Sequence, residues 1–383
     1  MINNFNFEKL IRNYNDFIDS CQYDEKSFRL TKNSESSCFA LCFAIFGYHL
    51  IGRTDVLIKN KDLWCSTIIN SLLIERKNKE TISLATNKSY LQLLCFSLSA
   101  LVLLNYSFDQ ELCSLLLEVI PNDVSSYLSK VGVSDGKAGS GNFAMFLAII
   151  LLTLKDKYKY DVSLKLNDWI KFHINKINNY GFWGNKTNKS YLYFQNGYHQ
   201  YEIFNYLSLT NTIEPDFQRY VLNFQDSDGF FAPYPGGGGC FDYDAVYLLT
   251  IINGTNYSSE LYLTLSTLFR YQNDDGGFCE SKYIRPKSFL NFVKQFNHLL
   301  FCSNGFNLEK FKYLISVNLK KNNTIQTHWT AYSRGWSESD LWDSWFRMLT
   351  IARIDTYLKI SDIKWGFINF PGIGYHELYA SKR

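Results

Sequence analysis

Two stretches decide how this chain is read: Gln225-Asp226-Ser227-Asp228-Gly229-Phe230 and Gln272-Asn273-Asp274-Asp275-Gly276-Gly277-Phe278. Each closes an amphipathic segment. A glycine just past a helix supplies a left-handed residue without steric cost. The Asp and Gln side chains can satisfy backbone groups left free at helix ends. The Phe that follows is available to pack between neighbouring helices. The first stretch runs into a glycine-rich loop and then an apolar segment. A weaker copy is Asn178-Asn179-Tyr180-Gly181-Phe182-Trp183-Gly184, and Ser134-Asp135-Gly136 is a possible remnant.

Outward from these turns, two kinds of segment alternate along the 383 residues, at a spacing of about 45–55 residues that suits repeats of paired helices. One kind is apolar all round: 38–51, 90–104, 142–154, 198–209, 241–253 and 341–354, with 287–302 as a seventh candidate. The other is amphipathic: 5–18, 61–75, 109–120, 161–176, 214–225, 258–271 and 307–319. A helix apolar on every side must be covered on most of them, and a one-striped helix needs cover on one side only. Two concentric rings meet both demands. The expectation is an all-α fold, an α/α toroid of six or seven helix pairs formed by residues 1–383 as one domain, with an apolar inner ring and an amphipathic outer ring. An open superhelical solenoid of the same pairs is the alternative.

The Gln…Asp-Gly-Gly-Phe/Trp turns resemble the repeats of the squalene-cyclase and prenyltransferase superfamily, clearly over about 175–280 and faintly elsewhere. The resemblance implies the toroid and, with it, isoprenoid chemistry. In class II terpene cyclases an Asp-x-Asp-Asp motif protonates an alkene or epoxide with its middle acid. The matching stretch here is Asp242-Tyr243-Asp244-Ala245, which places Asp244 where the proton donor stands and lacks the last acid. Protein prenyltransferases carry Asp-x-Cys plus a distant His at a zinc site. Asp242-Tyr243-Asp244 lacks that Cys, so no metal and no cofactor is expected.

Residues 236–239 are four glycines, opening an apolar segment whose first turn carries Asp242 and Asp244. Such a run lets another group approach the backbone closely, and acids are favoured at a helix N-terminus. Aligned one repeat earlier, Gln200-Tyr201-Glu202 falls over Asp242-Tyr243-Asp244, beside His199. Asp343 opens the last apolar segment. Glu202, Asp244 and Asp343 are therefore expected at one rim, where paired carboxylates can act as acid and base. The segment 196–202 also resembles the stretch that opens a toroid helix in heparinase-type lyases. Tyr201, Tyr243, His328, Tyr332, Arg334, Trp336 and Trp342 are the expected substrate-binding residues, with aromatic faces suited to sugars or carbocations. Each set also has a purely structural reading: helix caps, packed aromatics, and an Arg paired with an acid.

The function expected is a terpenoid cyclase-like enzyme whose rim acid protonates an isoprenoid in an aromatic-lined cavity. A carbohydrate-active toroid (lyase or hydrolase) and a non-catalytic binding or scaffold toroid are the alternatives. A net charge of +3 with no basic block interleaved with aromatics argues against nucleic acid. Nine scattered cysteines without a CxxC pair read as reduced, buried thiols. The N-terminal stretch lacks a signal peptide's apolar core, and the longest apolar run is too short to span a bilayer, so a cytoplasmic protein is expected. The tetraglycine lacks the Lys-Ser/Thr of a phosphate loop.

Overall fold

The computed structural model describes residues 5–78, 84–184, 190–210, 217–252, 257–282, 289–300, 308–319, 324–327 and 330–376; of Asn291 and His298 it describes the backbone alone. Fifteen α-helices and one short 3-10 helix (Leu84–Thr86) account for the regular structure of these residues, with two short antiparallel strand pairs as the only sheets among them. The protein is all-α. Helix pairs far apart in sequence pack in a manner consistent with a helical repeat. The chain divides into two compact units, residues 1–54 with 218–366 and residues 55–217 with 367–383.

The first unit is centred on α15 (Leu341–Leu358), which packs against α11 (Gly239–Thr250) and α2 (Cys38–Leu50). All three are buried along most of their length, as their apolar composition requires. The amphipathic α1 (Phe7–Ser20) lies on α2, and α12 (Ser258–Tyr271) on α15. The second unit repeats the plan. Its enclosed helices are α4 (Lys88–Leu103), α7 (Ser140–Tyr158) and α9 (Tyr191–Tyr206). Its outer helices include α3 (Thr54–Lys77), α5 (Gln110–Glu118), α6 (Val124–Lys130) and α8 (Ser163–Lys176). The short α10 (Phe217–Leu222) follows α9.

The glycine turns fold alike. Asn178, Asp226 and Asn273 each donate their backbone N–H to the carbonyl four residues on, and Gly181, Gly229 and Gly276 each donate back to the carbonyl three residues before. All three glycines are left-handed, with φ of 81°, 88° and 87°. In the first two turns one side-chain oxygen, of Asn178 or Asp226, also accepts two backbone N–H groups. The Gln before the turn reaches the next outer helix: Gln225 Nε2 donates to Glu260 O of α12 at 2.9 Å, and Gln272 Nε2 to Leu10 O of α1 at 3.1 Å. A Cβ on Gly276 would collide with the Asn13 carbonyl. Gly276→Ala combines that collision with a strained φ, so it is expected to lower stability by about 2–4 kcal/mol. Gly52, whose φ is also positive but whose Cβ would meet open space, is the control. Equal denaturation midpoints for the two alanine variants would contradict the packing role.

Two expectations need correction. The apolar segment expected from 198 begins at Tyr191, where Ser190 Oγ accepts the N–H of Leu192. Gly197, read as a helix opening, lies inside α9 and makes room for the ring of Phe182. The segment 287–302, expected as a seventh enclosed helix, is α13 (Phe289–Leu300), and Phe289 and Leu290 on it are 81% and 72% exposed.

Candidate active site

Charge in the first unit concentrates where the tetraglycine loop meets the start of α15. Asp242, in the first turn of α11, is wholly buried. Its Oδ1 accepts the N–H groups of Phe231 and Ala232 at 2.7 and 3.2 Å, and its Oδ2 accepts that of Gly238 at 3.1 Å. Arg347, nearly two turns into α15, donates to Asp242 Oδ2 at 2.7 Å and to the carbonyls of Gly236 and Glu280 at 3.1 and 3.0 Å. Burial pushes the Asp242 carboxyl up, and the Arg347 guanidinium holds it down. Asp242 therefore ties a loop to two helices.

Beside it stands a second group built on Arg334. Its Nε donates to Asp340 Oδ2 at 2.5 Å, and its Nη2 donates to Asp343 Oδ2 at 3.0 Å and Glu280 Oε2 at 3.2 Å. Asp340 Oδ1 accepts the N–H of Asp343 at 2.8 Å and so caps α15. The Tyr234 hydroxyl donates to Glu280 Oε1. Arg334 Nη1 and Asp343 Oδ1 have no hydrogen-bond partner among the described residues. Two guanidinium groups face four carboxyls here, so the group carries excess negative charge unless a carboxyl keeps a proton. Burial raises Asp340 well above the usual carboxylate range, and burial together with the nearby Asp343 charge pushes Glu280 up to about 7. The Glu280 side chain is 15% exposed, against 2% or less for Arg334, Arg347, Asp340, Asp343 and Asp242.

The tetraglycine has its reason in this packing. A Cβ on Gly237 would strike Asp242 and lie 2.8 Å from Arg347 Nη1, one on Gly238 would lie 2.5 Å from the Tyr234 hydroxyl, and one on Gly239 would lie 2.8 Å from Asp343 Oδ1. The loop backbone rests directly on the charged groups, and Gly237 does so at a φ of 71°.

Of the expected residues, Asp242, Asp343 and Arg334 come together here. Asp244 is buried on the same helix; burial, then the charges of Asp244, Glu280, Asp343 and Asp242, raise the half-buried Cys240 thiol. Tyr243 is buried in ring contact with Tyr247 and Phe346. Trp336 packs on Tyr234, and Trp342 packs between Phe43 and Phe346. Tyr332 donates to Glu338. His328 lies outside the described residues. The remaining three belong to the second unit. Glu202 is the twelfth residue of α9, not near its start as expected, and accepts the Gly374 N–H at 3.2 Å. The Tyr201 hydroxyl donates to Gly181 O at 2.7 Å. His199 Nε2 lies 2.9 Å from Asn142 Nδ2, and burial, then the Lys88 charge, lower it to about 3, so it is a neutral imidazole.

Sequence reasoning missed Glu280, Tyr234 and Arg347. Arg347 was findable: an Arg in the largely apolar run 341–354, like Arg353 in the same run, must be paired once that run is enclosed. Glu280 carried no comparable signal beyond standing two residues after Phe278 of a glycine turn. A separate cleft of about 570 Å³ is lined by Phe5–Glu8 and residues 361–363, and none of the expected site residues lines it. Among the described residues no cluster of His, Cys, Asp and Glu is arranged to hold a metal ion. No described helix is long and apolar enough to cross a membrane.

No known family profile matches the chain, and no curated protein matches it. It is similar to a solved crystal structure of a protein from Actinoplanes, at 10% identity over 92% of this chain and 99% of that one, with a TM-score of 0.48. A likeness at that level carries no argument about fold or function.

Proposed function

We propose that this protein is a terpenoid cyclase-like enzyme on an α/α-toroid frame, in which the carboxyl cluster of the first unit delivers a proton to an uncharged isoprenoid substrate. The observation that carries the proposal is Glu280, the one partly exposed acid of a sealed charge cluster. Its carboxyl sits near pH 7, bracketed by Tyr234 on one oxygen and Arg334 on the other. An acid of that strength holds a proton at neutral pH and releases it readily, which is what general acid catalysis requires. Arg334 then stabilises the carboxylate that remains. Burial, and then the charge of Asp343, keep the carboxyl weakly acidic. The reading moves the acid from Asp244 to Glu280, because Glu280 combines exposure with an acidity tuned to neutral pH. It supports the isoprenoid class only through the resemblance of the glycine turns.

The scaffold reading has an observation of its own: Asp242 is fully engaged by Arg347 and three backbone N–H groups, as a structural carboxylate would be. The carbohydrate reading finds no free stacking platform in Trp336 or Trp342, which are packed against other rings.

Glu280→Gln separates these readings. Prenyl diphosphates and squalene-type polyenes are incubated with each protein, and products are read by mass spectrometry. The variant is expected to lose at least about 100-fold in turnover, the usual scale for a lost general acid. Unchanged turnover in the variant, or no product from the native protein with any of these substrates, would sink the proposal. The same variant has a stability signature. A carboxyl raised in the folded state holds its proton where the unfolded chain has released it. Its stabilisation is complete below about 4.5 and is lost as pH rises to about 7. Glu280→Gln should remove roughly 2–3 kcal/mol of that pH dependence, read from denaturant midpoints across the window.

A further inference from the structure

Seven of the sixteen large apolar residues that stand exposed among the described residues lie on just two helices, α13 and α14 (Leu308–Leu319). On α13 they are Phe289, Leu290, Val293 and Leu300; on α14 they are Leu308, Ile315 and Leu319. At 100° per residue each set falls within about 100° of arc on its helix, so the outward faces are themselves apolar stripes. The opposite faces are accounted for. On α13, Gln295 and Leu299 are buried, and on α14, Lys310, Leu314 and Val317 are buried, with Lys310 turned inward to Asp226 Oδ2 and Phe230 O. The pair is therefore amphipathic in the reverse sense from the other outer helices, with grease toward solvent as well as toward the core.

The charge of this stretch is equally uneven. Residues 281–321 hold eight Lys or Arg and the single acid Glu309, a net charge of +7 in a chain whose total is +3. Lys294 and Lys312, the basic residues described on the outward faces, are exposed. An apolar stripe of Phe, Leu, Ile and Val flanked by lysines suits the boundary of an anionic lipid bilayer, where the chains enter the acyl edge and the ammonium groups reach the headgroups. A twelve-residue helix is too short to cross a bilayer, so the mode is lying on the surface. Nucleic acid would want exposed aromatic faces for stacking, and these outward stripes are chiefly aliphatic.

We propose that α13 and α14 form an interfacial docking face for anionic lipid membranes. This stands apart from the catalytic reading and survives its failure. Where both hold, the face lies on the far side of the helix whose inner side, through Tyr313 and Val317, packs on Tyr234 beside the acid cluster.

The test is co-sedimentation of the full chain with vesicles, either of phosphatidylcholine alone or of equal parts phosphatidylcholine and phosphatidylglycerol, without any substrate. Binding to the mixed vesicles is expected to exceed that to phosphatidylcholine at least tenfold and to fall as salt is raised. The double variant Phe289→Ser with Leu290→Ser, at exposed positions, is expected to lose at least tenfold while its thermal midpoint stays unchanged. If that variant fails to fold, Leu308→Ser with Leu319→Ser takes its place with the same expectation. No binding to the mixed vesicles overturns the proposal, as does equal binding by the folded variants. So does a native protein that dimerises or binds single-stranded RNA through this face while ignoring vesicles.

Discussion

Replacing Arg347 with Leu is expected to cost about 3–5 kcal/mol, the scale for stripping one partner from a buried ion pair. The side chain is 1% exposed, and its three hydrogen bonds join α15 to α11, to the tetraglycine loop and to the stretch after the third glycine turn. Its removal leaves Asp242, at a wholly buried position, with three backbone donors and the weaker influence of Lys310 as its remaining countercharge. The cheapest response is protonation, so the variant's deficit should shrink as pH falls. Adding Asp242→Asn should restore part of the loss, because an amide oxygen can still accept from Phe231 and Ala232. The recovery stays partial, because the amide nitrogen faces the Gly238 N–H. Urea midpoints of the two single variants and the double variant at pH 5 and pH 8 decide this. A deficit below about 1 kcal/mol, independent of pH, would mean that the pair is not the tie described.

Acidification should attack the second unit. His173 and His199 are both lowered to about 3, by burial first in each case. His173 lies against Trp169, Trp183 and Phe204, with its Nδ1 at 2.7 Å from Trp169 O. A histidine that stays neutral in the folded state while its unfolded counterpart titrates near 6.5 supports the fold fully above that pH. Its support is lost as pH drops, because only the unfolded chain takes up the proton. At pH 4.5 the two together should remove about 5 kcal/mol, at 1.36 kcal/mol per unit per group. Glu280 works in the opposite sense, in the first unit. Hydrogen exchange followed from pH 7 to 4.5 should therefore show α8 and α9 losing protection before α11 and α15. The double variant His173→Gln with His199→Gln should flatten that loss. Simultaneous opening of both sets of amides in the native protein, or an unchanged acid profile in the variant, would refute the assignment.

Most enclosed helices were legible, and for one reason. Segments such as 38–51 and 142–154 have almost no polar side to turn to water, so burial follows from composition alone. The glycine turns were legible too, since Gly181, Gly229 and Gly276 take backbone conformations that other residues resist. The errors came where local signals have two readings. Gly197 looks like a helix opening, yet within α9 it serves to admit the ring of Phe182. The segment 287–302 is apolar enough to be enclosed, but α13 leaves much of that surface outside.

The candidate site was half legible. Asp242, Asp343 and Arg334 stood out because each is a charge beside an apolar run. Pairing them required knowledge of which helices touch. By itself the sequence determined that this chain builds helices, which of them are greasy on every side, and where the left-handed turns fall, because these follow from side-chain hydration and backbone sterics within a few residues. Only the tertiary structure decided that Arg347 meets Asp242 across 105 positions, that Glu280 joins Arg334 and Tyr234, and that four glycines lie flat on those charges. The energy of a buried charge depends on what stands within a few ångströms of it, and distance along the chain carries no record of that.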